Sequence, residues 1–373
     1  LAPNPSPLRP LCPAKDRLYL WTPTTSRTSL DARGKLVSLS SADLQHIKDV
    51  VIQGYVDSTR ESYGSGLLVF HIFCDSKLIP EDQRAPASRV LISSFISCMA
   101  GHYSGKTVSN YVHGVRAWHV VHGITWILRD AETDTLLKAA VTLTLSTSKC
   151  SKRQPYTIDL IIAIHSQLDL NSPLDAAVFS CLTTTFFAMA RTGEFTIPRL
   201  DTFNPAIHVK PSDVRDVQDC QNLTTKNFHL PRTNTSLDGE DIFWGKQQGL
   251  ADPDESFANH LLINQPPTNG PLFAYRFKDT HRPLTKSKLL TRLAQATKGA
   301  GREPVQGHGI RIGGTLGYLL RNVPFDVVKA KGRWASDAFL VYLRDHAQIM
   351  APFMQGISPV HKQLLRYTMP PVR

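Results

Sequence analysis

The chain is poor in three things: cysteines at useful spacing, acidic residues and long apolar runs. Its six cysteines (Cys12, Cys74, Cys98, Cys150, Cys181 and Cys220) are scattered, with no Cys-x-x-Cys pair and no histidines at zinc spacing. That argues against a zinc module and against a disulfide scaffold. A reducing compartment is expected, with no metal and no cofactor. The longest apolar run, "FSCLTTTFFAMA" at 179–190, stops at Arg191. A membrane span needs roughly 18 to 20 uncharged residues, so the run is read as a buried core helix and no membrane is expected as a partner.

The shortage of acids has a consequence for partners. Lys and Arg number 42 against 31 Asp and Glu, a formal charge of +11. In a folded chain this excess favours polyanions, nucleic acid before an acidic lipid surface. The chain has the composition of a folded protein, 42% hydrophobic and 20% charged, and 373 residues suit two domains, or two and a tail. It opens on Leu1 rather than Met, which reads as a processing or cloning boundary and leaves upstream targeting signals open.

Residues 1–38 are rich in Pro, Ser, Thr and Arg and lack an apolar period, which predicts a mobile arm with little packing. Residues 39–148 predict an all-helical domain. Ser41 is its first expected N-cap, followed by Leu44, Ile47, Val50 and Val51 at helical spacing. "STSKCSKRQPY" reads as a basic linker over 149–155. The second domain, 156–346, starts with two helices and passes through short strands, with "LDG" as a hairpin turn signal. It ends in helices at "TKSKLLTRLAQATKG", "GIRIGGTLGYLLRN", "FDVVKAKGRW" and around Tyr342. A tail follows at 347–373, whose Ile349, Met350, Phe353 and Met354 dock on a neighbouring protomer or pack on their own domain. The expected fold class is mainly α with a small antiparallel β-sheet.

Two motifs compete for an anion. "AGHYSGKT" at 100–107 fits a loose phosphate-loop pattern, but an apolar helix precedes it where such a loop needs a strand. It is read as a helix-to-helix turn. The helix it opens carries Lys106, Asn110, His113 and Arg116 on one side, a DNA-facing row or an ordinary solvated face. Lys152 and Arg153 of the linker and Lys286 and Lys288 at a helix head complete the DNA-binding candidates. The second motif is "GHGIRIGGT" at 307–315, where His308 and Arg311 share one helical face between glycines. Alone, this pair suits a structural histidine beside a surface arginine. "ARTGEF" adds Arg191 at the end of the most apolar helix, where a buried guanidinium needs an anion or a carboxylate. "KGRWASDAFLVYLRDH" adds Trp334 and Tyr342; the tyrosine by itself would pass for a core residue.

In order and spacing, "RTGE", "HGIR", "GRW" and Tyr342 resemble the tyrosine recombinase (phage integrase) family, and the wording around them is similar to recombinases of eukaryotic, fungal mobile elements of the Crypton or DIRS type. The resemblance implies a two-domain DNA clamp, a helical core-binding domain followed by a tyrosine recombinase catalytic domain. It implies Tyr342 as nucleophile, forming a 3′-phosphotyrosine, and Arg191 and Arg311 as bidentate holders of the scissile phosphate. His308 would handle a proton or a phosphate oxygen, Trp334 would supply an indole N–H, and Glu194 would orient Arg191 or His308. The arginines would do the electrostatic work of a metal pair. Double-stranded DNA and further copies of the chain, a tetramer on DNA, are the implied partners, and the nucleus is the implied location. One part departs from the pattern. Where the family has a hairpin lysine that protonates the leaving 5′ oxygen, "LPRTNTS" has Asn234. A decayed site, a substitute such as Lys226 or Lys246, or a protein kept for DNA binding would each account for it. A type IB topoisomerase is the remaining alternative.

Overall fold

The computed structural model describes residues 2–30, 34–126, 131–148, 153–218, 220–233, 236, 238–334 and 346–354. Tyr342, Asn234 and Lys152 lie outside the described residues. The chain divides into two compact units, Leu1–Ser151 and Lys152–Arg373.

The first unit is helical: α1 (Arg17–Leu20), α2 (Ser41–Gln53), α3 (Asp57–Ser76), α4 (Arg89–Met99), α5 (Gly105–His122) and α6 (Ala131–Thr142). Ser40, one residue before the expected Ser41, caps α2. Its hydroxyl accepts from the Asp43 N–H while the Asp43 carboxylate accepts from the Ser40 N–H, a reciprocal pair that satisfies two backbone donors. Leu67, Phe70, Phe95, Val115 and Trp118 form the core between α3, α4 and α5.

Within the stretch expected as a loosely packed arm, residues 1–38, the part around Leu18 is packed instead. Leu18 and Trp21 are buried in that core, and the Trp118 indole donates to the Trp21 carbonyl at 2.6 Å. Arg9 is buried too, its guanidinium against the His71 ring at 3.2 Å and paired with Glu81. One turn of helix among prolines anchors this segment through single side chains, so no repeating period announces it.

The phosphate-loop look-alike is a turn between α4 and α5, with Ser104 capping α5 by accepting from the Thr107 N–H. Along α5 Lys106, His113 and Arg116 are exposed and Asn110 is half-buried.

The second unit begins with α7 (Ile158–His165), α8 (Pro173–Phe187) and α9 (Thr192–Phe195). A three-stranded antiparallel sheet follows, β1 (Val214–Gln218), β2 (Thr224–Leu230) and β3 (Glu240–Gly245), in the order β1-β2-β3. Then come α10 (Pro253–Asn264), the hairpin β4 (Ala274–Phe277) and β5 (Thr280–Pro283), α11 (Lys286–Gly299), α12 (His308–Leu319), α13 (Phe325–Lys331) and α14 (His346–Met354). The fold is mainly helical with a small antiparallel sheet. The run read as a buried helix is α8, buried on every side from Asp175 to Phe187. In α14, Ile349 is buried beside Met189, Leu316, Leu319 and Val328 of the same unit, while Met350 and Met354 are exposed.

No helix among the described residues is long and apolar enough to cross a membrane.

Candidate phosphodiester site

The site is built on the end of α8, on α9 and on the head of α12. After α8, Met189 takes a left-handed conformation (φ 52°), rare for a residue with a side chain, and turns the chain so that Arg191 becomes the N-cap of α9. Phe195 fastens α9 from below, with its ring edge-to-face with Phe228 of β2 at 5.5 Å and with Phe273 at 5.6 Å.

Glu194 closes the turn. One carboxylate oxygen accepts from the Arg191 backbone N–H at 2.8 Å and the other from the Arg191 guanidinium at 3.0 Å. The acid expected to orient Arg191 or His308 is therefore bonded to Arg191. The Arg191 side chain keeps a third of its surface open, against 9% for Glu194.

Helix α12 is held at a fixed depth by contacts that only glycine allows. A β-carbon on Gly313 would stand 2.0 Å from the Tyr156 carbonyl oxygen, and one on Gly314 would stand 2.2 Å from that of Phe186. The Tyr156 N–H donates to the Gly309 carbonyl at 2.9 Å, and the Thr192 hydroxyl donates to the Gly307 carbonyl at 3.2 Å, joining α9 to the helix head. His308 and Arg311 are thereby carried to the same place as Arg191.

Arg311 is 1% exposed, with its guanidinium over the Trp334 ring at 4.5 Å and donating to the Gly332 carbonyl. His308 is half-buried. Its pKa lies below the ordinary 6.5, first because burial disfavours the charged ring, then because Arg153, Arg311, Arg191 and Lys286 all repel a proton there. Four cations from four separate segments thus act on one imidazole. Arg191, Glu194, His308, Arg311 and Trp334 are brought together, and two of the DNA-binding candidates, Arg153 and Lys286, join them. Lys288 is exposed on the first turn of α11.

Sequence reasoning left two partners unassigned. Arg333 donates to Glu194 at 2.7 Å and to Glu240, the first residue of β3, at 2.9 Å. "GRW" contains this arginine, but its neighbours give no sign of a left-handed backbone (φ 57°) that turns its side chain inward.

The two candidate substitutes for the hairpin lysine are placed elsewhere. Lys226 pairs with Asp216 at 2.6 Å and shares a groove with Lys246, Asp254, Thr224 and Trp244. In the β2–β3 ladder Lys226 sits opposite Trp244, whereas the strand ends that flank the connection are Leu230 and Glu240. Four residues of strand, about 13 Å, separate Lys226 from that end.

Chemically, the cluster suits a tetrahedral oxyanion. Two guanidiniums offer fixed forks, the imidazole offers a proton acceptor or donor, and the indole packs one guanidinium in place. Among the described residues no group of three or more His, Cys, Asp or Glu is arranged to hold a metal ion.

No family model matches the sequence, and no curated protein matches it. Among solved structures, the XerH site-specific recombinase in a post-cleavage complex with a palindromic difH substrate aligns with a TM-score of 0.51. Identity is 14%, over 81% of this chain and 80% of that one. A lambda integrase dimer bound to a COC′ core site gives a TM-score of 0.49 at 14% identity, over 81% and 76%. The likeness to XerH shows that the chain has a tyrosine recombinase fold.

Proposed function

We propose that the protein is a site-specific DNA recombinase that cuts and rejoins DNA through a covalent 3′-phosphotyrosine. The observation that carries this reading is the grouping of Arg191, held by Glu194, and Arg311, stacked on Trp334, with Arg153 and Lys286 also in electrostatic range of His308. A cluster with this charge has little to hold but an anion, and the fold is shared with the XerH recombinase, whose structure is a post-cleavage complex with its DNA substrate.

In the proposed reaction the Tyr342 oxygen attacks the scissile phosphorus, the bond to the 5′ oxygen breaks, and the phosphate remains joined to the tyrosine. Arg191 and Arg311 hold the non-bridging oxygens, whose negative charge grows during attack. The tyrosine proton, held at a pKa of about 10 in water, is driven off by this positive field and by His308. Rejoining reverses the step, so the bond energy is conserved in the ester. Strand exchange between paired sites calls for several copies on DNA, and a mobile-element origin and nuclear location belong to the same proposal.

The position of Lys226 and Lys246 favours a second reading, a DNA-binding protein with weakened cleavage. Both lie at the far end of the hairpin, and Lys226 is committed to Asp216. One experiment separates the two. A pool of nicked suicide duplexes with a randomised central segment is incubated with the chain, with Tyr342→Phe and with Asn234→Lys, and adducts are resolved on a denaturing gel. Recombinase activity predicts a covalent band that Tyr342→Phe abolishes. Asn234→Lys should speed its formation by roughly 10² to 10⁴-fold, the usual contribution of a general acid to rate. Duplex binding with no band in any variant would leave the binding protein.

A further inference from the structure

Of the two guanidiniums bonded to Glu194, only one is open to a ligand. The Arg333 side chain is 10% exposed, and both of its bonds run to carboxylates, Glu194 at 2.7 Å and Glu240 at 2.9 Å. Arg191, bonded to the same Glu194 at 3.0 Å, is 33% exposed. A chain of alternating charge therefore runs from the start of β3 through Glu240, Arg333 and Glu194 to Arg191 at the surface.

We propose that Arg333 is a positioning residue for Arg191. It does not touch the anion. By taking a share of Glu194, it leaves that acid a single hold on the Arg191 guanidinium, so the remaining N–H groups of Arg191 stay aimed outward. Through Glu240 it also ties the first residue of β3, and with it the hairpin end, to the same cluster. The charges explain the need for an arginine. Glu194 faces two guanidiniums, Arg191 and Arg333; with Arg333 gone, Glu194 would draw the Arg191 fork inward with both oxygens. A lysine ammonium is a point charge without the planar fork that reaches two separated carboxylates.

The proposal rests on the reading of this cluster as a phosphodiester site, and the test keeps the two apart. Binding of the full chain to a random-sequence 20-base-pair duplex is followed by fluorescence anisotropy across a salt series. Each phosphate contact contributes about 0.9 to the slope of log affinity against log salt. Arg191→Ala should lower the slope by about one contact. Arg333→Gln and Arg333→Lys should each lower it equally, and either combined with Arg191→Ala should lower it no further.

Additive losses, or a wild-type slope in Arg333→Lys, would overturn the proposal and leave the phosphodiester reading intact, because an arginine that met phosphate itself would be replaced by a lysine. An unchanged slope in Arg191→Ala would remove the phosphodiester reading and the proposal with it. Melting curves check that each variant folds. Should Arg333→Gln fail to fold, Glu194→Gln combined with Arg333→Lys gives the same cycle. The pair should show no loss beyond that of Glu194→Gln, and a further loss would overturn the proposal.

Discussion

His308 is where the electrostatics of the site can be read most directly. Burial and four cations keep the ring neutral near pH 7. A phosphodiester placed among those cations brings negative charge to the same point and should lift the pKa back toward or above its ordinary value. Duplex binding at about pH 6 is therefore expected to take up a proton, and binding at pH 8 is not. Calorimetry in two buffers of different ionisation enthalpy measures this, and His308→Gln should abolish the uptake. Equal heats in both buffers at pH 6 would put the bound phosphate away from His308.

For the elements, the decisive contact is α12 against the chain beneath it. Alanine is a better helix former than glycine by up to about 1 kcal/mol, so propensity alone favours Gly→Ala throughout this helix. The packing divides the glycines. Gly313→Ala and Gly314→Ala place a methyl against a backbone oxygen and should destabilise by about 1–3 kcal/mol while moving His308 and Arg311 off register. At Gly317 the nearest atom is a Phe186 ring carbon at 3.6 Å, ordinary contact, so Gly317→Ala should be neutral or stabilising. Melting temperatures paired with duplex affinities check both signs.

The same helix shows what was legible beforehand. "HGIR" and the glycines around it were visible, because residues spaced along one face show directly in sequence. The depth that those glycines allow was not, since it depends on carbonyls of Tyr156 and Phe186 that are distant in the chain. Periodic helices such as α3, α5 and α8 could be read for the same local reason. Leu18 and Trp21 could not, because a single turn has no period. Arg333 escaped because its left-handed backbone and its two acids, from α9 and β3, are facts of tertiary structure.

In the molecule as a whole, the buried histidines connect the two units to solvent pH. His119 and His122 of the first unit and His260 of the second are buried, and burial lowers each pKa to about 4. His71, beside the Arg9 and Arg84 guanidiniums, lies well below its ordinary value for the same first reason. Each binds a proton in the unfolded chain near pH 6.5 but not in the folded one, so stability is full above that pH and falls as pH drops below it. A fall from 6.5 to about 4 corresponds to on the order of 3 kcal/mol for each of the three when pH has passed below 4. Both units should therefore lose stability together between pH 6.5 and 4, well before their carboxylates are fully protonated. Melting temperature against pH measures the slope. His260 anchors the second unit, its Nε2 at 3.0 Å from the Leu272 carbonyl and its Nδ1 at 2.9 Å from the Asn264 amide. His260→Gln should lower the melting temperature at pH 7, where the wild-type ring is neutral and well bonded, yet flatten the decline toward pH 4, since the group that must take up a proton is gone. An unchanged slope in that variant would assign the acid sensitivity to other groups.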